Sequence, residues 1–518
     1  MTEQEARALV AEVLVLRNNP QWRKEDDELI ASGAVLNTQI GGKDARERAA
    51  RVRGMAPGPM ILQADLETGS YFAVDGTEIP PLMAVGAADD EQLAYDWGFA
   101  VGLEGRRLGL DVTWSPVLDI NTNPDNPIIN VRSFGESVEL VSRLGAAVTR
   151  GINASGLVAC AKHWPGHGDV AVDSHISLPT LPLTLARLRE VEWAPYRAAR
   201  QAGLECIMTA HLLLPYVDPD NCATVSHKLI TEHLKGELGF PGPIFTDSLG
   251  MEGLRLTLDS AQAAWQAVAA GHDQVLVDYK RSPYESYEAA LAAAMDGRLP
   301  EARLREAAAC VQAFKARCAA LPPPPPDEEI KTTLDDMAWR LAQASITQWG
   351  NKPGSLELGD KPLLVICDDL ESRGVGMADE QTATGLQGRH PLATAMLAKK
   401  QFDLVVLEEA PTAADVAALQ QAVAKASSVI GATFAHIVCY KGEGVRLPAP
   451  QIDMWKDIAG SGKLRAMMLF ESPYALSDLP ANVPVTVGYG ADEFTLKAAA
   501  EALLEGKDCS GRLPVSVG

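Results

Sequence analysis

The sequence predicts an α/β protein, a (β/α)8 TIM barrel followed by a smaller α/β sandwich domain. Three observations carry that expectation. Eight short apolar runs alternate with amphipathic helical stretches over about the first 300 residues, the rhythm of strands each followed by a helix. Polar and titratable residues recur where those runs end. A run of five prolines then separates this part from a second piece with its own apolar runs.

The strand candidates, in order, are VLVLR (13–17), AVLNTQ (34–39), MILQAD (60–65), VTWSPVLD (112–119), LVACAKH (157–163), CIMTAH (206–211), PIFTD (243–247) and QVLVD (274–278). Runs this short and apolar suit strands buried on both faces of a parallel sheet, although the first could equally continue the opening helix. Between them lie helical patterns, DDEQLAYDWGFAVGLEGRRLG, VELVSRLGAAVTRGINASG and LTLARLREVEWAPYRAARQAG, some ending at Gly as helix C-caps do. The stretch LPPPPPDEE (321–329) locks the backbone into an extended, semi-rigid path and reads as an interdomain linker. The expected division is therefore a barrel over 1–320, a Pro-rich linker and connecting helix over 321–354, and a sandwich domain over 355–518. In that last part PLLVICD, DLVVLE, IVCY, RAMMLF and VPVTVGYG alternate with TAADVAALQQAVAKA and EFTLKAAAEALLEG, which implies a largely parallel sheet. Its acidic pieces, CDDLESRG and VLEEAP, read as solvated surface.

Composition narrows the function. With 46 Lys or Arg against 68 Asp or Glu, the 518-residue chain carries a net charge of −22, and 47% of it is hydrophobic. Fibrous and wholly disordered classes are excluded. The acidic balance argues against nucleic acid or an anionic membrane as partner, because phosphate neutralisation needs a basic surface. No run approaches the roughly 18–20 apolar residues of a membrane span, and MTEQEARALVAEVLVLRNN lacks a basic start with a small-residue cleavage site, so a cytoplasmic location is expected. The eight cysteines are scattered with no CxxC pair, and they read as buried free thiols.

A barrel places its chemistry at the C-terminal ends of strands and in the loops that follow. Asp65 ends the third strand, Asn121, Asn123 and Arg132 follow the fourth, Lys162 and His163 end the fifth, His211 the sixth and Asp247 the seventh. The loop after strand five, KHWPGHGDVAVDSH (162–175), holds three His and two Asp within 14 residues. In Asp173-Ser174-His175 the carboxylate can accept a hydrogen bond from one imidazole nitrogen, leaving the other for proton transfer near neutral pH. Asp247, in IFTDSLGMEG, is placed to be a nucleophile or a cap for the next helix. His163, His167, Asp169 and His175 could instead hold a metal, although no regular ligand spacing is present, and the loop could also be an ordered turn. The stretches GGKDARER and RGVGMADE match neither a Walker A loop nor a GxGxxG following a strand.

The stretch KHWPGHGDVAVDSHISLP resembles the KHFPGHG…DSH…LP signature of glycoside hydrolase family 3, in its β-N-acetylglucosaminidase branch. DINTNPDNPIINVRSFGES, MTAH (208–211), ATVSHKLITEHLKGELGFPGPIFTDSLGMEG and the terminal GRLPVSV follow in the family's order. The resemblance implies that Asp247 is the nucleophile, that His175 with Asp173 is the acid/base dyad, and that Asp65, Arg132, Lys162 and His163 hold the sugar hydroxyls. It implies a retaining exo-β-N-acetylglucosaminidase acting on a small carbohydrate, with no metal or organic cofactor. A β-glucosidase or β-xylosidase, an N-acetylglucosaminide phosphorylase and a catalytically silent sugar binder are the alternatives. The sequence departs from the branch at ADLETGSYF, where DQEGGR is common and no Arg is present here. The second piece resembles the family's second domain; since the loop supplies its own dyad, a structural role is expected for it.

Overall fold

Eight parallel strands close a ring: β1 Leu14–Val15, β2 Asn37–Gln39, β3 Ile61–Ala64, β4 Val112–Thr113, β5 Val158–Trp164, β6 Cys206–Thr209, β7 Ile244–Thr246 and β8 Val275–Leu276. Strands β2 to β7 pair in sequence order, and β1 pairs with β8. A bridge between Leu16 and Thr38 joins β1 to β2, and one between Phe245 and Gln274 joins β7 to β8, completing the barrel. The structure is a computed structural model that describes residues 1–17, 23–321, 323–351, 356–369, 390–436 and 446–517. Val15, Ile61, Val158, Cys160, Phe245 and Leu276 fill the barrel interior together with Phe314 of the helix Glu301–Ala319.

The helices Glu91–Arg107 and Val138–Ala154 start where Asp90 and Ser137 accept hydrogen bonds from the first-turn amides, which relieves unpaired donors there. They cross so closely that backbone meets backbone. A Cβ on Gly98 would lie 2.3 Å from the Val148 carbonyl oxygen, and one on Gly151 2.1 Å from that of Tyr95. The pattern over 183–203 departs from one continuous helix and forms two, Leu185–Glu190 and Ala194–Gln201. Pro195 lacks an amide hydrogen and its ring would clash with the preceding turn, so the helix restarts there.

The second sheet contains β9 Thr347–Trp349, β10 Pro362–Asp368, β11 Asp403–Glu408, β12 Ser428–Ala435, β13 Leu464–Glu471 and β14 Val485–Gly488, in the order β9-β14-β13-β12-β10-β11. Only the β9–β14 pair is antiparallel. Along β10, Leu364 and Ile366 pack with the helices Pro391–Leu397 and Glu493–Glu505, whereas Leu363, Val365 and Cys367 pack toward Ala413–Lys425 and Ala449–Gly460. This period-two division puts helices on both faces. Strand β9 falls within the stretch read from sequence as connector. The helix before it, Asp327–Ser345, packs on both Glu91–Arg107 and Glu493–Glu505, and Arg340 Nη1 donates to Asp96 Oδ2 at 2.9 Å.

Three expectations need correction or placement. The run IVCY lies outside the described residues, and the strand in its region is β12, just upstream. Asp368 and Asp369 of CDDLESRG are buried rather than solvated, with His390 Nε2 3.1 Å from Asp368 Oδ2; residues 370–374 are outside the described set. Strand β10 runs between β12 and β11, so its last residues are carried into the covered interior of the sheet whatever their charge. Of the described cysteines, all free thiols, Cys310 and Cys509 are half-buried and the other five buried; Cys439 lies outside the described residues. Among the described residues no helix is long and apolar enough to cross a membrane.

Replacing Gly98 by Ala adds about 1 kcal/mol of helix propensity but overpacks a backbone contact, for a net loss of roughly 2 kcal/mol. The measurement is the midpoint of urea unfolding, which should fall; an unchanged midpoint would mean that the two helices can separate without cost.

Candidate active site

A cleft of about 600 Å³ opens at the C-terminal ends of the barrel strands, and seven of the residues singled out from sequence line it: Asp65, Arg132, Lys162, His163, His167, His175 and Asp247. Parallel strands deliver their last residues to one end, so residues far apart in sequence arrive together. Asp173 sits behind the lining, buried, where it accepts from the His175 backbone N–H at 2.7 Å and from His175 Nδ1 at 2.8 Å. The two bonds fix both the start of the ring and its tilt. With Nδ1 held by a carboxylate, proton exchange at His175 runs through Nε2.

The polar floor is a chain of ion pairs. Lys162 Nζ, at the end of β5, lies 2.5 Å from Asp65 Oδ1 and 2.5 Å from Glu67 Oε1. Glu67 in turn accepts two hydrogen bonds from Arg132, at 2.7 and 2.9 Å. Burial alone would raise the Glu67 carboxyl, but the Arg132 and Lys162 cations outweigh it and hold the group well below the usual carboxylate range. Burial likewise opposes the Lys162 ammonium, and Asp65 with Glu67 reverses that, raising it above its ordinary value. Glu67 and Lys162 are therefore both charged at neutral pH.

A second layer holds the histidines. Asp119, fully enclosed, accepts from His163 Nδ1 at 2.7 Å and from the His167 backbone N–H at 2.7 Å. Its burial is outweighed by His163, which keeps its carboxyl below the ordinary range. His163 Nε2 then faces Arg132 Nη2 at 3.5 Å. Burial, with His163 adding to it, pushes the His167 ring down to about 4, so it is neutral near pH 7, and its Nε2 lies 3.0 Å from the Ser174 hydroxyl. The loop reaches this position because Gly168 passes against Ile120, where a Cβ would be 1.8 Å from the carbonyl oxygen. His163, His167, Asp169 and His175 do not gather as ligands: among the described residues no group of three or more His, Cys, Asp or Glu could hold a metal ion.

Asp247 closes the far side of the cleft at the end of β7. Its Oδ1 accepts from the Ser248 N–H at 2.6 Å. Burial would raise it, yet His211, His163, that N–H and His175 together hold it well below the usual carboxylate range, so it is an anion at any working pH. His211 itself does not line the cleft. It is buried, with Nε2 donating to the Ser248 carbonyl at 2.8 Å and Nδ1 2.7 Å from the Thr224 hydroxyl, and it fixes the turn that carries Asp247. Asn121 also points elsewhere: its Nδ2 donates to Tyr474 Oη of the second domain at 2.8 Å, while Asn130 Nδ2 donates to Ser472 Oγ at 3.0 Å. Asn123 donates to the Val170 carbonyl and ties the β4 loop to the β5 loop.

The profile of the glycosyl hydrolase family 3 N-terminal domain matches residues 28–314, more than half of the chain. The chain belongs to this family. A β-hexosaminidase A of Pseudoalteromonas piscicida is 32% identical over 340 residues, 59% of this chain and 56% of that protein. A β-hexosaminidase of Bordetella pertussis is 35% identical over 257 residues, 47% of this chain and 72% of that relative. The first of these matches therefore spans only about half of its relative's length. Among solved structures, a glycoside hydrolase family 3 β-N-acetylglucosaminidase from Paenibacillus sp. superposes with a TM-score of 0.84 at 27% identity, covering 99% of this chain and 98% of that one. The family's two-part architecture thus extends over the whole chain.

Sequence reasoning missed Glu67, Asp119 and the partnership of His167 with Ser174. Glu67 carried a readable signal, since it stands two residues after Asp65 and so on the same side of an extended backbone. Asp119 ends the apolar run VTWSPVLD much as Asp65 and Asp247 end theirs, which was a weaker cue. His167 and Ser174 are brought together only by the curl of the loop.

Replacing Glu67 by Gln leaves Lys162 and Arg132 incompletely neutralised in a buried site and should cost about 3 kcal/mol at pH 7. Because the folded-state value of Glu67 is depressed, its contribution is present above the unfolded carboxylate value and is lost as the pH falls. The stability gap between wild type and variant should therefore narrow below about pH 4. Urea unfolding from pH 3 to 7 checks this; a gap independent of pH would remove the charge of Glu67 as its source.

Proposed function

We propose that the protein is a retaining exo-β-N-acetylglucosaminidase that removes terminal β-linked N-acetylglucosamine from a small saccharide or glycoconjugate. One observation carries the reading: the His175–Asp173 pair and the anionic Asp247 meet in one cleft whose floor is lined by Lys162, Asp65, Glu67 and Arg132. The names of the similar proteins, β-hexosaminidases and a β-N-acetylglucosaminidase, support the choice of sugar.

In this mechanism Asp247 attacks the anomeric carbon while His175 Nε2 donates its proton to the glycosidic oxygen, so the C–O bond breaks as a glycosyl ester forms. The aglycone leaves as a neutral alcohol. His175, now neutral, takes a proton from a water that attacks the same carbon, and the ester bond to Asp247 breaks. Two displacements give net retention. A His as proton donor suits the site, because a second carboxylate would place two anions beside one anomeric centre, and Asp173 stabilises the imidazolium that donates. Asp65, Arg132, Lys162 and His163 hold the sugar hydroxyls. Of these, Lys162 and His163 are the most buried, as donors that fix the sugar against the floor must be. The roles assigned here need no metal and no organic cofactor.

The deciding experiment compares release of an aryl leaving group from the N-acetyl-β-glucosaminide, the β-glucoside and the β-xyloside, each with and without phosphate. Preference for the acetamido sugar, with free sugar as product, is expected. A sugar 1-phosphate product would make the enzyme a phosphorylase, and cleavage of only the glucoside or xyloside would replace the sugar assignment. Asp247→Asn should abolish turnover while the protein still unfolds at its normal temperature; substantial residual rate removes Asp247 as nucleophile. His175→Ala should slow alkyl glycosides by about 10²–10⁴ but activated aryl glycosides far less, since those need little acid help. Equal slowing of both would deny His175 the proton transfer.

A further inference from the structure

Among the described residues three other than glycine hold a positive φ, and two of them stand on the two sides of one contact between the domains. Asn130, at φ 40°, opens the 3₁₀ turn Asn130–Arg132 in the loop after β4, and Glu471, at φ 69°, ends β13. A side chain disfavours this conformation sterically, so contacts around such a residue must hold it there. The contact in question is the bond from Asn130 Nδ2 to Oγ of Ser472, the residue after Glu471, at 3.0 Å, and both partners are fully buried.

Asn121 holds the same turn with a single amide group. It is fully buried; its Oδ1 accepts from the Asn130 backbone N–H at 3.0 Å, and its Nδ2 donates to Tyr474 Oη at 2.8 Å. Burial pushes the Tyr474 phenol up to about 12, so it is neutral at any working pH and accepts from the amide without adding a charge. Two residues beyond Asn130 comes Arg132. Its N–H donates to the Ile129 carbonyl at 2.8 Å, and the Ser133 N–H closes the turn on the Asn130 carbonyl at 3.0 Å. From this turn the guanidinium reaches the cleft, with Nη1 donating to the Ile128 carbonyl at 3.0 Å and Nε and Nη2 to Glu67 at 2.7 and 2.9 Å. A rotation of the turn about Asn130 is carried to that planar fork, which tolerates little change of angle.

We infer that Tyr474 and Ser472 are positioning residues for sugar binding: acting through Asn121 and Asn130, they hold the left-handed turn that aims Arg132, so that the second domain sets the affinity of a cleft built by the barrel. This deepens the proposed function and rests on its reading of Arg132 as a holder of sugar hydroxyls. A bond that only fastened the two domains could fall anywhere along their junction, as the Arg340–Asp96 pair does on exposed surface. These two bonds fall on the strained turn that leads directly into a cleft residue.

The test measures binding, so that it does not depend on turnover. Methyl β-thio-N-acetylglucosaminide, whose sulfur link resists hydrolysis, is titrated calorimetrically into the full chain and its variants, each of which is also unfolded in urea. Tyr474→Phe keeps the ring and removes the acceptor of Asn121 Nδ2, and it should weaken Kd about five- to tenfold; Ser472→Ala should weaken it similarly. Arg132→Lys keeps a charge beside Glu67 but replaces the rigid fork by a flexible stem, so adding Tyr474→Phe to it should weaken Kd by no more than about a further twofold. Wild-type affinity in both Tyr474→Phe and Ser472→Ala, with a lowered urea midpoint, would overturn the inference and leave two bonds that merely fasten the domains. A full five- to tenfold loss on top of Arg132→Lys would also overturn it, because Tyr474 would then act by a route other than Arg132. Failure of the thioglycoside to bind the wild type, or wild-type affinity in Arg132→Lys, would instead overturn the reading of the sugar site and the inference with it.

Discussion

A buried lysine, a half-buried arginine and two carboxylates set the geometry on which the rest of the site depends. Lys162 on β5 and Arg132 after β4 would each be costly to enclose alone, and Asp65 and Glu67 after β3 compensate them. Three strand ends are thereby bound through side chains that cannot part without stranding a charge. Such a chain of ion pairs adds little net stability, because desolvation offsets most of the attraction. Its consequence is positional: donors and acceptors are fixed before any ligand arrives, so little reorganisation is left for binding.

Around that floor the histidines are arranged by carboxylates of graded burial. Asp119 is enclosed and holds His163 and the His167 backbone in place; Asp173 is enclosed and holds His175. Asp247, by contrast, is only half-buried and meets the cleft. One residue type thus takes two positions, as an anchor for an imidazole where it is covered and as an anion facing the cleft where it is open. His211 belongs to the anchoring set, since both ring nitrogens are engaged by the turn that follows Asp247 and by Thr224.

The second domain acts on the site indirectly. Tyr474 and Ser472, just beyond β13, bond to Asn121 and Asn130 in the loop that carries Arg132. The terminal GRLPVSV segment adds backbone bonds, Arg512 N to the Ala87 carbonyl and Glu136 N to that of Pro514. A long loop after β4 would otherwise be the least constrained part of the barrel mouth, because it has no regular strand or helix of length to hold it. The contacts with the second domain convert it into a fixed wall.

The sequence by itself determined the period of the fold, the ends of most strands and the chemical character of the mouth, because strand and helix periodicity and strand-end polarity are local properties. Asp65, Lys162, His163, Asp173, His175 and Asp247 were legible for that reason, and the motif order supplied their expected roles. What only the tertiary structure decided was pairing across distance. Nothing in the one-dimensional order joins Glu67 to Lys162 and Arg132, or turns Asn121 away from the cleft toward Tyr474. Nor could periodicity show Asp368 buried beneath His390, since burial depends on what other elements cover a strand end. Those arrangements follow from closing eight strands into a ring and docking a second sheet against the loop that follows β4, operations that fix distances between residues hundreds of positions apart.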